Sequence, residues 1–99
     1  MLRSPAVATV TVRLHGAYSD FAGGARKVTI DASTVGEALD ALPRVVPGLR
    51  ERIRDEQGRI RVHLNVFHNE EEIGRAGGES SSLRDGDVVH LVPAMSGGV

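Results

Sequence analysis

The 99 residues fit one compact domain and leave no room for a second core, and 40% apolar with 25% charged residues is ordinary globular usage, which argues against a disordered or fibrous chain. Twelve basic against thirteen acidic residues give a net charge of -1 without a lysine and arginine stripe, so no nucleic-acid partner is expected. Zero cysteines exclude disulfides, thiolate metal sites and a cysteine nucleophile; no apolar run approaches the roughly 20 residues of a membrane span, and residues 1–8 lack the pattern of a secretion signal, so a cytoplasmic protein with no membrane partner is expected.

Over residues 7–14, Ala8, Val10, Val12 and Leu14 alternate with Thr9, Thr11 and Arg13, the period of a half-buried strand. Residues 16–24 are rich in turn formers. After them Val28 and Ile30 alternate with Lys27, Thr29 and Asp31, which predicts a second strand paired with the first as a hairpin. Thr34 followed by Glu37 is a capping box, and Val35, Ala38, Leu39 and Leu42 then form one apolar stripe, so a helix is expected from Thr34 to near Leu42, where Pro43 stops it. A further short helix is expected over residues 47–54, with Leu49 and Ile53 facing the core.

Residues 55–58 read as a turn. Beyond it Ile60, Val62, Leu64 and Val66 alternate with Arg61, His63, Asn65 and Phe67, which predicts a strand through this whole stretch. Residues 69–72 form a polar turn, and 74–82 are Gly- and Ser-rich loop with at most a short strand around Ile73. Asp85, Gly86 and Asp87 make a tight turn into an apolar, β-branched strand over residues 88–92, ended by Pro93. The expected fold class is therefore α+β, a mixed sheet of four to five strands with one main helix packed on one face.

The segment after Pro93, with Ala94, Met95, Ser96, Gly97, Gly98 and Val99, has no core periodicity and reads as a tail on a domain of residues 1–93. Two glycines without side chains suit a channel too narrow for other residues and would present a backbone carboxyl to an active site. Leu83, Asp85, Gly86, Asp87, Val89, Pro93, Gly97 and Gly98 together resemble the ending of the ThiS and MoaD family of ubiquitin-like sulfur carriers. The strand order, the main helix and the length are similar to that β-grasp fold as well. Leu64, Asn65, Val66, Phe67, His68, Asn69, Glu70, Glu71, Glu72 and Ile73 look like the matching stretch of the sulfur carrier of a bacterial cysteine-biosynthesis route.

The resemblance implies a carrier that binds no cofactor of its own and is a substrate, not an enzyme. A partner adenylyltransferase of the ubiquitin-activating type would use ATP to form an acyl-adenylate at Gly98. Sulfide, or a persulfide on another protein, would then displace AMP to leave a thiocarboxylate for a sulfur-accepting biosynthetic enzyme. Gly97 would give access, and Pro93, Ala94, Met95 and Ser96 would be gripped by partners. Family members act from the second glycine, whereas Val99 follows it here, so a peptidase that cleaves between Gly98 and Val99 is expected as a further partner.

Other residues carry less. His15, His63, His68 and His90 show no paired ligand spacing, so no metal site is expected and surface positions are the reading. The acidic run Glu70, Glu71 and Glu72 reads as a solvated turn. Phe67 shares its strand side with Arg61, His63 and Asn65, and a partly exposed ring there is a docking point for an activating enzyme, or a ring covered by a loop. Arg75 and Arg84 are single surface charges that would assist little. Two rivals stay open: a protein modifier that passes the activated glycine to a lysine, and a β-grasp interaction module with an inert tail. An enzyme is disfavoured because no nucleophile with a base, phosphate loop or metal set is present at a working spacing.

Overall fold

A computed structural model describes residues 7–74 and 78–94. The elements run β1 (Ala8–Leu14), α1 (Ala17–Phe21), β2 (Lys27–Ala32), α2 (Val35–Val45), a 3-10 turn (Pro47–Leu49), β3 (Leu64–His68), β4 (Glu71–Glu72), a second 3-10 turn (Gly78–Ser80) and β5 (Val88–Pro93). The strands form one mixed sheet in the order β2-β1-β5-β3-β4, with β1 and β5 parallel and the other pairs antiparallel. The expected hairpin of the first two strands is present, Val10 facing Ile30 and Val12 facing Val28.

Alternation decides which face is covered. Ala8, Val10, Val12 and Leu14 are buried together with Leu64, Val66, Val89 and Leu91, and the stripe of α2, Val35, Ala38, Leu39 and Leu42, closes over them. The opposite face carries Thr9, Thr11 and Arg13 of β1, which lie against Asp31, Thr29 and Lys27 of β2. Thr34 caps α2, its Oγ1 accepting from the Glu37 amide at 3.2 Å, but Glu37 Oε1 accepts from the Ser33 amide at 2.9 Å instead of returning to Thr34. The box is thus offset by one residue and still satisfies two free amides.

Four local expectations are corrected. Helix α2 continues through Pro43 to Val45, with the Val46 amide donating to the Leu42 carbonyl at 2.8 Å. A proline in the last turn withdraws only the bond it would have made to Leu39, and the complete burial of Leu42 holds the turn. Residues 16–24 contain the helix α1, whose Tyr18 is buried. The expected helix over residues 47–54 is a single 3-10 turn, although Leu49 and Ile53 do face the core.

The strand predicted from Ile60 begins at Leu64. Ile60 makes only an isolated bridge to Arg54, the Leu64 amide donates to the Arg61 carbonyl at 3.1 Å, and Val62 is 67% exposed. Pro93, the last residue of β5, stands opposite Leu64, the first of β3, and the ladder between the two strands runs from that pair to Val89 opposite His68. The short strand expected around Ile73 is Glu71–Glu72, and the amide of half-buried Ile73 donates to the Val66 carbonyl at 3.0 Å.

Candidate functional site

The last described residues, Pro93 and Ala94, lie at the end of the central strand of the sheet. Along β5 the Leu91 carbonyl accepts from the His15 amide at 3.0 Å, Pro93 stands opposite Leu64, and the Ala94 amide donates to the His63 carbonyl at 2.8 Å. The same carbonyl accepts from the Tyr18 hydroxyl at 3.4 Å. Burial raises the Tyr18 pKa, partly offset by the Arg61 charge, so the phenol stays a neutral donor. Gly16 adopts φ 56 and ψ -130, and a Cβ there would lie 2.9 Å from Cγ of Pro93. The turn from β1 into α1 therefore seats against the proline that ends β5.

Beside this point opens a groove of about 670 Å³ whose walls include Tyr18, Phe21, Arg50, Arg52, Arg61 and His63, with Pro93 and Ala94 at its rim. Its shape depends on Gly48, where any Cβ would overlap the Phe21 carbonyl oxygen; the missing side chain lets the first 3-10 turn close on α1. The Arg52 guanidinium lies over the Phe21 ring at 4.1 Å, and the Tyr18 and Phe21 rings meet edge to face with centroids 6.1 Å apart. Arg61 is anchored by its Nε, which donates to the Glu51 carbonyl at 2.7 Å.

Residues 12–98 match the model of the ThiS family. The chain belongs to this family. It is 30% identical over 91 residues to the sulfur carrier protein CysO of Mycobacterium tuberculosis, an alignment that covers 90% of this chain and 98% of that protein. It is 38% identical over 86 residues to small archaeal modifier protein 1 of Haloferax volcanii, covering 82% and 94% of the two chains. A crystal structure of that modifier superimposes with a TM-score of 0.79, covering 92% of this chain and all of the other. The Amycolatopsis orientalis BexX/CysO complex includes a chain that is 29% identical and superimposes with a TM-score of 0.76, covering 90% of this chain and 99% of that one. This ThiS-family chain thus has the ubiquitin-like β-grasp fold, in a family of small sulfur carriers and ubiquitin-like modifiers.

Of the predicted site residues, Pro93 and Ala94 are half-buried at the groove rim, whereas Met95, Ser96, Gly97, Gly98 and Val99 lie outside the described residues. Phe67 is half-buried on the sheet face away from α2, opposite His90 on β5 and Glu72 on β4. It stands three ladder positions from Pro93, roughly 10 Å along the strand, and does not join the groove. The aromatic residues that flank the tail base are Tyr18 and Phe21, which the sequence reading passed over as turn; burial of an apolar pair three apart, just after Gly16, was the available signal.

His63 is exposed as expected, whereas His15, His68 and His90 are half-buried. His68 points to the helix side of the sheet, its side chain 16% exposed; its Nε2 meets Asp87 Oδ2 at 2.7 Å and its Nδ1 meets Ser81 Oγ at 3.4 Å. Asp87 also accepts from the Arg84 amide at 3.0 Å and from Asn69 Nδ2 at 3.3 Å, and the His68 contact foremost holds its carboxyl below the usual range. Serine, histidine and aspartate here tie the start of β5 to the loops beside it, with the serine contact long for a nucleophile. His15 Nε2 and His90 Nδ1 meet at 2.9 Å, and burial, then the His15 and Arg13 charges, lower the His90 pKa. Among the described residues no three His, Cys, Asp or Glu side chains gather as a metal site, and no helix is long and apolar enough to cross a membrane. Glu70, Glu71 and Glu72 are exposed, and so is Arg84; Arg75 lies outside the described residues.

Proposed function

We propose that this protein is a sulfur carrier whose reactive group is the carboxyl of Gly98, exposed by removal of Val99. The observation that carries the reading is that β5, the central strand, ends at Pro93 with Ala94 pinned to His63, and that two residues, Met95 and Ser96, separate Ala94 from the Gly-Gly pair in sequence. Residues 95–98 span at most about 14 Å when extended, enough to carry a backbone carboxyl away from the domain surface into a partner's channel. The family match, which ends on Gly98 and leaves Val99 outside, supports the same end point.

The chemistry runs in two displacements on a partner of the ubiquitin-activating type. A Gly98 carboxylate oxygen attacks the α-phosphorus of ATP and pyrophosphate leaves; hydrosulfide then attacks the acyl carbon and AMP leaves, so the carboxyl oxygen lost with AMP is replaced by sulfur. Both steps belong to the partner, and the chain supplies the acyl group, which a biosynthetic enzyme later relieves of its sulfur. A second reading is favoured by the 38% identity to an archaeal modifier protein: the same acyl-adenylate would be passed to a lysine as an amide.

Intact mass and fragmentation of the C-terminal peptide from the native cell test both. Loss of Val99 with a gain of about 16 Da at Gly98, the exchange of oxygen for sulfur on an acyl group, is the expected result. Gly98 recovered in an isopeptide bond would assign the modifier reading. Val99 retained with no adduct while the pathway is active would overturn both and leave an interaction module.

A further inference from the structure

The groove at the foot of the tail is strongly biased in charge. Arg50, Arg52 and Arg61 line it with Glu51 as the carboxylate among the described residues, three positive charges against one in a chain of net charge -1. The ion pairs among the described residues are Arg54 with Asp40 and Glu79, and His68 with Asp87; none involves the groove. Two of the three guanidinium groups are nevertheless held in place, Arg52 over the Phe21 ring and Arg61 by its bond to the Glu51 carbonyl. Groups held in this way lose little further freedom when they meet an anion. The ring of Phe21 and Ala17 add apolar lining beside them.

Cationic and apolar groups lining one groove are complementary to a peptide that carries carboxylates around an apolar side chain. We propose that this groove docks an acidic segment, anchored by an apolar residue, on the protein that handles the C-terminal tail. Assigning the segment to that protein rests on the function proposed above; recognition of the peptide by the groove does not. The location gives the contact its use. Pro93 and Ala94 form the rim, so a segment bound there lies next to the emerging chain and fixes its direction, and specificity comes from the folded surface while the glycines carry no side chain to read.

The test is a titration of the 15N-labelled full chain with a synthetic peptide in which Asp and Glu surround one Leu and one Phe. A peptide with Lys and Arg around the same apolar residues serves as the counterpart. The expected shifts are confined to the amides of α1, residues 50–52, Arg61, His63 and Ala94. Added salt should weaken the binding, and R50A/R52A should weaken it about fivefold, the loss expected for two partly exposed ion pairs. Arg26→Ala, an exposed site outside the groove, should leave it unchanged, and Arg50→Gln, which retains the Arg52 stack on Phe21, should weaken it about twofold without risk to the fold.

Equal response to the basic peptide or to a single-stranded oligonucleotide would overturn the proposal. So would tighter peptide binding by a chain lacking residues 95–99, which would make the tail itself the occupant, or the same shifts on raising protein concentration alone, which would make it a second copy. The two readings fail separately. A chain that binds the peptide while Gly98 stays unmodified retains the groove and loses the carrier, and a thiocarboxylate at Gly98 with no peptide response does the reverse.

Discussion

Gly16→Ala is expected to cost about 3 kcal/mol, far more than an alanine at an exposed turn, and the excess measures how the tail is seated. Two effects combine. The backbone at φ 56 and ψ -130 lies where an L-residue is strained by about 1–3 kcal/mol. The new Cβ would also stand 2.9 Å from Cγ of Pro93, a ring that cannot swing aside, and such overpacking costs about 1–3 kcal/mol. Gly23→Ala is the control: its φ is 70 and nothing lies within 4 Å, so only backbone strain of about 1–2 kcal/mol applies. Urea unfolding at constant m compares the two variants, and a cycle with Pro93→Ala should return about 1–2 kcal/mol of coupling at Gly16 and none at Gly23. The Ala94 amide resonance should move in Gly16→Ala, because displacing Pro93 disturbs the bond to His63. Equal losses for the two alanines, or zero coupling with Pro93→Ala, would refute the argument that this turn positions the tail.

Asp87→Ala removes the acceptor of His68, the Arg84 amide and Asn69 at a site 16% exposed, and should cost about 2–3 kcal/mol in the same assay. Because folding lowers the Asp87 pKa, its stabilisation is present above the unfolded value near 3.9 and is lost as pH falls through the lower folded value; the wild-type stability should decline from about pH 5 downward, and more shallowly in Asp87→Ala. Arg54, 24% exposed, donates to Asp40 on α2, to Glu79 in the second 3-10 turn and to the Gly58 carbonyl, so Arg54→Ala should cost about 2 kcal/mol. Arg54→Lys should recover less than half of that loss, since one ammonium cannot reach all three acceptors in the fork geometry.

The parts of the fold legible in the sequence are those set by short-range pattern. The alternation of β1 reports its burial residue by residue, the Asp85, Gly86 and Asp87 turn lies where expected with Gly86 at φ 87, and the apolar stripe of α2 is the face that packs. The misses share a cause. A five-residue helix such as α1 is too short to show a 3.6 period, and the burial of Tyr18 holds it. Val62 fits the strand alternation, yet it precedes β3, which begins at Leu64 opposite Pro93, and it is exposed; the register with a strand about 30 positions away is not written in the local pattern. His68 extends the alternation of Leu64 and Val66 to the helix side, so its burial was readable, but its partner Asp87 was not. The groove was hidden for the same reason: Tyr18, Phe21, Arg50, Arg52 and Arg61 come from three separate segments, joined by the close approach that Gly48 permits.

The central position of β5 explains why a tail can be handled by a partner without harm to the domain. An edge strand is bonded on one side and frays locally, whereas β5 is bonded to β1 on one side and to β3 on the other, and its Val89 and Leu91 are fully buried. Pulling on its end therefore opposes both ladders and the core together, an opening that approaches global unfolding in cost. The same arrangement makes the start of the tail a fixed point. Pro93 rests on Gly16, Ala94 on His63, and His63 on Tyr18, so the direction in which the chain departs is set by residues of β1, α1 and the approach to β3. On the proposed function, a partner that holds the groove would meet the chain at a fixed point beyond β5, and residues without side chains could then be fed to its active site. On that function, recognition and chemistry would be assigned to different parts of one small chain, which would let the reactive end remain as plain as Gly97 and Gly98.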